Sequence, residues 1–464
     1  MKTVIVIGAG SAGQMIVHEL LHNTKKKNKY SIVGYLDDNV ALIGQIFEGI
    51  PVLGKISDAA DFVQKYNADT IYVAVPSASS VQIRHILESL YTVKAKIKIV
   101  PGMIEIIEGC ATSSQLRPIK PRDLLGREEV TFDIEKLSPY YKDKTVFITG
   151  AGGSIGAELL QQILCLPVRR IAAFGHGENS IHALLQTVGE DPRFEYIIGD
   201  VRDSDKLMCE VQRVKPDIIF HAAAHKHVPL MEEYPDEAVK NNIIGTYNCC
   251  LAAIEGNVKK FVLISTDKAV KPSSVMGASK RIAEQIVLSM NNKKSKTHFI
   301  LTRFGNVLGS RGSVVPVFQR QIQAGGPVTV THPEMTRFFM SIREAARLVI
   351  KAASLKNGNI FILDMGQPVK IIDLARSMIL LSGHTIDEIP IKISGIRPGE
   401  KLTEEILTDT EKLDKTEFEK LFISEEKNIF YEPDELELLM DDFLTVAQTY
   451  DKVSIRKFIM EQIK

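Results

Sequence analysis

Residues 265–280 read Ser-Thr-Asp-Lys-Ala-Val-Lys-Pro-Ser-Ser-Val-Met-Gly-Ala-Ser-Lys. A hydroxyl, a carboxylate and an ammonium therefore stand side by side at Thr266, Asp267 and Lys268. Such a trio can bind an oxygen, give a proton and take one, which is general acid–base chemistry. The trio ends an apolar run, Phe261-Val-Leu-Ile-Ser265, that reads as a buried strand. Lys280 follows twelve residues after Lys268 and four after Met276, one helical turn from the latter. Met276 cannot ionise, so proton transfer at this turn falls to the acid and the amine beside it.

Two segments would position such residues, and both run strand, glycine-rich turn, helix. The first is Thr3–Ile7, then Gly8-Ala-Gly10-Ser-Ala-Gly13, then Gln14–Leu21. The second is Thr145–Thr149, then Gly150-Ala-Gly152-Gly153-Ser154-Ile155-Gly156, then Ala157–Leu164. Glycine permits the tight turn and lets backbone amides approach a phosphate at the helix N-terminus. Further strands are expected near 31–35, 70–75 and 97–100, then 170–174, 196–198, 217–221, 261–265 and 298–302. Strands spaced by helices imply parallel sheets with right-handed crossovers. The fold class is α/β, with two Rossmann-like doubly wound parallel-sheet domains, the second carrying a small C-terminal substrate-binding subdomain. Domain 1 spans 1–120, a linker rich in proline and charge spans 121–144, and the second domain spans 145–464. Its substrate subdomain is drawn mainly from 305–340 and 365–464, with a charged, helical tail from Asp409 as its cap.

Composition narrows the class. The 464 residues suggest two or three domains. The 57 basic and 57 acidic residues cancel, so no global field points to nucleic acid or anionic lipid. Lys25-Lys26-Lys27 is a short charged loop. Cys110, Cys165, Cys209, Cys249 and Cys250 lack CxxC spacing, which argues for a reducing compartment. No stretch of about 18 apolar residues exists and none resembles a signal peptide, so a cytoplasmic protein is expected, membrane-associated only through an upstream segment.

Beyond Gly156 the candidates for cofactor contact accumulate. Gly199-Asp200-Val201 follows a strand, where an acid commonly meets an adenine. His221-Ala222-Ala223-Ala224-His225 follows the next, and its small residues let backbone pass close to a cofactor. At the turn Phe174-Gly175-His176-Gly177-Glu178-Asn179 no carboxylate stands where one would repel a 2′-phosphate. NADP is thus favoured over NAD, with His176 and Glu178 bordering the site. His221, His225 and His227 form no metal-ligand spacing with neighbouring carboxylates, and no metal is expected. In the first domain Asp37-Asp38 follow Gly13 at a distance suited to a ribose, but no acid–base set accompanies them, so a bound nucleotide and an empty platform are equally open.

Thr266-Asp267-Lys268, Met276-x-x-x-Lys280, Arg303-Phe-Gly-Asn306, Arg337 and Arg397-Pro-Gly-Glu400-Lys401 together resemble the extended short-chain dehydrogenase/reductase superfamily. More narrowly, they resemble the capsular-polysaccharide UDP-N-acetylglucosamine 4,6-dehydratases, closely over about residues 120–410. Most of that superfamily carries Tyr where this chain has Met276. The resemblance implies a tightly bound NADP or NAD, a UDP-sugar substrate, no nucleic acid and a homo-oligomer. It implies Lys268 as base at sugar C5, Asp267 as acid at C6, Thr266 at the C4 oxygen and Lys280 on the nicotinamide ribose. Gly150, Gly152, Gly153, Ser154, Ile155, Gly156, Asp200, Val201, Ala222 and Ala223 would line the cofactor. Arg397 and Arg337 would meet the substrate pyrophosphate, and Asn306 that group or the sugar. Two rival readings stand: a UDP-sugar 4-epimerase or oxidoreductase of the same fold, and a catalytically silent nucleotide-sensing protein. An Asp-Lys pair alone reads as a surface ion pair worth ~0–1 kcal/mol. Found with Met276 downstream of the second glycine loop, it favours catalysis.

Overall fold

The computed structural model describes residues 2–22, 30–99, 134–291, 295–407, 412–425 and 431–463. Lys25–Lys27, Cys110 and the linker as far as residue 133 lie outside them. The chain forms two compact units: residues 1–129, 312–335 and 369–395 in one, and 130–311, 336–368 and 396–464 in the other. Among the described residues, no helix is long and apolar enough to cross a membrane.

The first unit is built on strands β1 (Lys2–Ile7), β2 (Tyr30–Leu36), β3 (Ile46–Phe47), β4 (Ile50–Gly54), β5 (Thr70–Val73) and β6 (Lys96–Ile99). They lie in the order β3-β4-β2-β1-β5-β6, parallel except for the β3–β4 hairpin. Val4, Ile5, Val6 and Ile7 are all fully buried, as expected of a central strand covered on both faces. Asp37 accepts the Ala9 amide at 2.8 Å and Asp38 accepts the Ile56 amide at 3.0 Å, so both acids hold backbone.

Segments 312–335 and 369–395, grouped by the sequence with the second domain, belong to this first unit. Leu380 is buried among Ile71, Val73 and Leu90, and the Tyr91 hydroxyl meets Ser377 Oγ at 2.9 Å. These contacts join residues nearly 300 positions apart, so no local pattern carries them.

The second unit holds β7 (Thr145–Thr149), β8 (Arg170–Gly175), β9 (Phe194–Ile198), β10 (Ile218–His221), β11 (Lys260–Ile264) and β12 (His298–Arg303). Its nine-stranded sheet runs Lys412–Lys415, Leu421–Glu425, Ile360–Leu363, β12, β11, β10, β7, β8, β9. From Ile360–Leu363 to β9 every pair is parallel, and the two outermost strands on the other edge are antiparallel. The tail is therefore not helical throughout: Lys412–Lys415 and Leu421–Glu425 extend the sheet before helices Pro433–Gln448 and Lys452–Glu461. Leu421 is fully buried where it pairs with Leu363, and that burial selects a strand over a helix. Strand order reverses between β7 and β10, the place where open parallel sheets leave a crevice.

Candidate active site

The acid–amine pair sits at the carboxyl end of β11, at the centre of the second sheet. Thr266 caps a short turn, Asp267–Ala269, and the Asp267 amide bonds to the Phe304 carbonyl at 3.0 Å. That bond ties the turn to the end of β12. Asp267 is fully buried. Its Oδ1 accepts from Thr266 Oγ1 at 2.8 Å and from Lys268 Nζ at 2.9 Å. Its Oδ2 is buried and finds no hydrogen-bond partner among the described residues. Gly305 lies opposite: a Cβ there would come within 3.1 Å of Oδ2. A buried polar atom left without a protein partner marks a place for a ligand or water.

Lys268 Nζ also donates to Asn306 Oδ1 at 3.0 Å and lies 3.7 Å from Glu404 Oε1. Glu404 in turn lies 3.8 Å from Arg337 Nε. Arg337 spends its donors inside the protein, on the carbonyls of Thr336 at 2.7 Å and Lys401 at 2.8 Å. It braces the segment that carries Glu404. Arg397 is exposed, four residues before Lys401. Ser273 Oγ donates to the Gly399 carbonyl at 3.1 Å and Lys401 Nζ to the Val270 carbonyl at 3.2 Å, which lays the Arg397–Lys401 segment against the loop after Lys268. The sequence missed Glu404, because nothing in the spacing of Thr403-Glu404-Glu405 separates a buried carboxylate from an exposed one.

Helix Val275–Ser289 follows that loop, with Ser274 Oγ accepting the Gly277 amide at 3.1 Å as its N-cap. All fifteen of its residues are buried, Met276 in the apolar core. Gly277 is where the helix meets the pair: a Cβ there would sit 2.3 Å from the Lys268 carbonyl oxygen. Gly277→Ala must push the helix or the Lys268 turn away. A displacement of this kind is expected to lower turnover about 100-fold while the protein stays folded. Steady-state rates beside a thermal melt check this, and parental turnover would show the turn unmoved.

One helical turn on, Lys280 Nζ donates to the Ile264 carbonyl at 2.8 Å, at the end of the same strand. Burial pushes this ammonium down to about 8, while the Glu284 carboxylate pushes back. Glu284 is fully buried and accepts from Ser265 Oγ at 2.6 Å and from Arg303 Nε and Nη2 at 2.7 Å each. His221, at the end of β10, is held between Thr149 Oγ1 at 2.7 Å and Thr246 Oγ1 at 3.0 Å. Burial first, then Lys280, pushes it down to about 3, so it is neutral. Both of its ring nitrogens are thus met by threonine hydroxyls.

The second glycine loop has the cradle a dinucleotide needs. A Cβ on Gly150 would lie 2.6 Å from the Ala223 amide nitrogen, and one on Gly156 would lie 2.4 Å from the Gly150 carbonyl. The loop opens directly onto helix Ser154–Leu164, whose amides point outward at its N-terminus. Asp200 and Val201 lie just past β9, which ends at Ile198, and Arg202 Nη2 holds the Asp200 carboxylate at 2.7 Å. Burial would raise Asp200, but the Arg202 bonds outweigh it and hold the acid below its usual range. His176 and Glu178 are exposed beside the loop. A nicotinamide dinucleotide therefore fits the residues present. Thr266, Asp267, Lys268 and Asn306 come together as one cluster, Arg337 reaches it through Glu404, and Met276 and Lys280 lie on the helix behind it.

Residues 146–426 match the family described as "Polysaccharide biosynthesis protein", and residues 1–101 match "CoA-binding domain". The chain is 48% identical over 412 residues to the "Probable polysaccharide biosynthesis protein EpsC" of Bacillus subtilis, covering 88% of this chain and 68% of that one. A "UDP-N-acetylglucosamine 4,6-dehydratase (inverting)" of Campylobacter jejuni is 35% identical, over 61% of this chain and 83% of its own. A "UDP-glucose 4-epimerase" of Rickettsia bellii is 36% identical, over 58% and 80%. The solved structure of Pen from Bacillus thuringiensis superposes with a TM-score of 0.58 at 35% identity, covering 66% of this chain and 98% of that one. With the glycine cradle at a sheet switch point and this match over more than half its length, the chain belongs to the polysaccharide biosynthesis protein family, nucleotide-sugar dehydratases and epimerases of the short-chain dehydrogenase/reductase superfamily.

Proposed function

We propose that this chain is a 4,6-dehydratase converting UDP-N-acetylglucosamine to a UDP-4-keto-6-deoxy sugar for surface polysaccharide. The observation that carries the reading is the fully buried Asp267, with Oδ1 occupied by Thr266 and Lys268 and Oδ2 without a hydrogen-bond partner among the described residues. A simple epimerase needs one acid–base group at C4. A dehydratase also needs a base at C5 and an acid at C6, and a carboxyl–amine pair meets that larger demand.

The nicotinamide cofactor, NADP favoured over NAD, would supply hydride acceptance from C4 and hydride return to C6. Gly150, Gly152, Gly153, Ser154, Ile155 and Gly156 would hold its pyrophosphate, Asp200 and Val201 its adenine. Ala222 and Ala223 would pass beside it, and Lys280 would hold the nicotinamide ribose. Thr266 would bind the C4 oxygen. Asp267 would take the C4 hydroxyl proton, since Met276 has no ionisable atom. Lys268, in its neutral form, would remove the C5 proton, made acidic by the C4 ketone. Asp267 would then return its proton to the departing C6 hydroxyl, which leaves as water. Lys268 would finally reprotonate C5, so the balance is loss of one water. Arg397 would meet the pyrophosphate and Asn306 would orient Lys268. Arg337 and Glu404 are positioning residues in this scheme.

Incubation with UDP-N-acetylglucosamine and no added reductant tests the reading. A product lighter by one water is expected. An isobaric product would favour the 4-epimerase, and no product with cofactor bound would favour a nucleotide-sensing protein.

A further inference from the structure

His18, His22 and Glu48 of the first unit converge on one point of its surface. The two histidines stand four apart on helix Ser11–His22, so they share a face, with ring centroids 4.4 Å apart. Glu48 comes from the turn between β3 and β4. Glu48 and Gly49 both have positive φ, 52° and 75°, which is the two-residue turn that matches strand twist. Phe47, next to it, packs edge-on against the fully buried Tyr35 ring at 6.2 Å, which fixes the hairpin on the sheet. The carboxylate thus reaches the helix from a supported turn.

The separations fit a metal ion. His18 Nδ1 lies 3.3 Å from Glu48 Oε1, and His22 Nε2 lies 3.7 Å from Glu48 Oε2. Donors about 2.0–2.1 Å from zinc at tetrahedral angles lie about 3.4 Å apart. Two imidazoles and one carboxylate are also the donor set that borderline divalent cations prefer over magnesium or calcium. All three side chains are exposed, leaving solvent access for a fourth ligand.

We propose that His18, His22 and Glu48 form a site for Zn²⁺ or a similar transition-metal dication, clamping the end of the first helix to the β3–β4 turn. The site is separate from the acid–amine pair and does not depend on the reaction proposed above.

The test is zinc titration of the full chain, untagged and metal-stripped, by calorimetry, with Co²⁺ absorption reporting ligand geometry. One ion per chain is expected, with a tetrahedral Co²⁺ spectrum and a raised thermal midpoint. Losing a ligand should cost at least as much as losing an outer partner, ~10–100-fold in affinity, so His18→Ala, His22→Ala and Glu48→Gln should each weaken binding by that amount. His85→Ala, at an exposed histidine elsewhere in this unit, should change nothing. Absence of zinc uptake, or uptake that survives loss of both His18 and His22, would overturn the site. Parental affinity in Glu48→Gln would overturn its three-ligand form.

Discussion

Lys268→Ala is expected to abolish water loss from the nucleotide sugar while leaving the cofactor bound. A positioned acid or base supplies ~10²–10⁴-fold, and in the proposed scheme one amine serves C5 twice, so a loss at the upper end is expected. The structure adds a second reason. Lys268 Nζ donates to Asp267 Oδ1 at 2.9 Å, and Asp267 is fully buried. Without it Asp267 Oδ1 keeps the Thr266 hydroxyl, at 2.8 Å, and loses its hydrogen bond from the lysine. Both proton transfers at C4 and C6 then suffer together. Glu404→Gln should be milder, because Glu404 stands 3.7 Å from Lys268 and acts on it without touching Asp267. Single-turnover mass spectrometry reads the elimination, and the absorbance of retained cofactor reads binding. Dehydration by Lys268→Ala at the parental rate would remove the role assigned to that lysine.

Glu284→Gln is expected to cost about 3–5 kcal/mol of folding stability, the range for breaking a buried pair at one partner. Arg303 is fully buried and gives Glu284 two bonds of 2.7 Å, so the substitution removes the carboxylate charge that both bonds meet in the core. Burial alone would raise the Glu284 carboxyl, but Arg303, Arg281 and Ser265 outweigh it and hold it below 4.5. A depressed carboxyl contributes stability that is full above its ordinary value and fades as pH falls through its folded value. The parent should therefore lose this contribution only below about pH 4.5, and the variant should lack it at every pH. Denaturant unfolding at pH 7 measures the difference.

The same variant has a readout that packing alone would not move. Glu284 pushes Lys280 up against the burial that brings it down to about 8. In the parent, a step that needs the Lys280 ammonium should weaken as pH rises through about 8. In Glu284→Gln that limb should move to lower pH. A variant destabilised as expected but with an unmoved alkaline limb would confine Glu284 to the fold.

Much of this was legible in the residues themselves. The strand–glycine–helix starts at Gly8 and Gly150, the parallel sheets and the ends of most central strands follow from period and turn chemistry, which act over a few residues. Thr266, Asp267 and Lys268 were legible because they are adjacent in the chain, and Lys280 because it lies one turn from Met276. Tertiary structure decided what distance in sequence hides. It brought Glu404 to Lys268 across 136 positions, and turned Arg337 inward onto the backbone of Lys401. It made Lys412–Lys415 and Leu421–Glu425 into edge strands, and sent segments 312–335 and 369–395 to the first unit. It also buried Lys280, Arg281 and Glu284 on one helix, where charge in the sequence reads as surface. Local torsions and spacing can name the groups that do chemistry. Which of them are desolvated, and against what partner, is fixed only when remote segments close around them, because burial and Coulomb energy depend on separation in space and not along the chain.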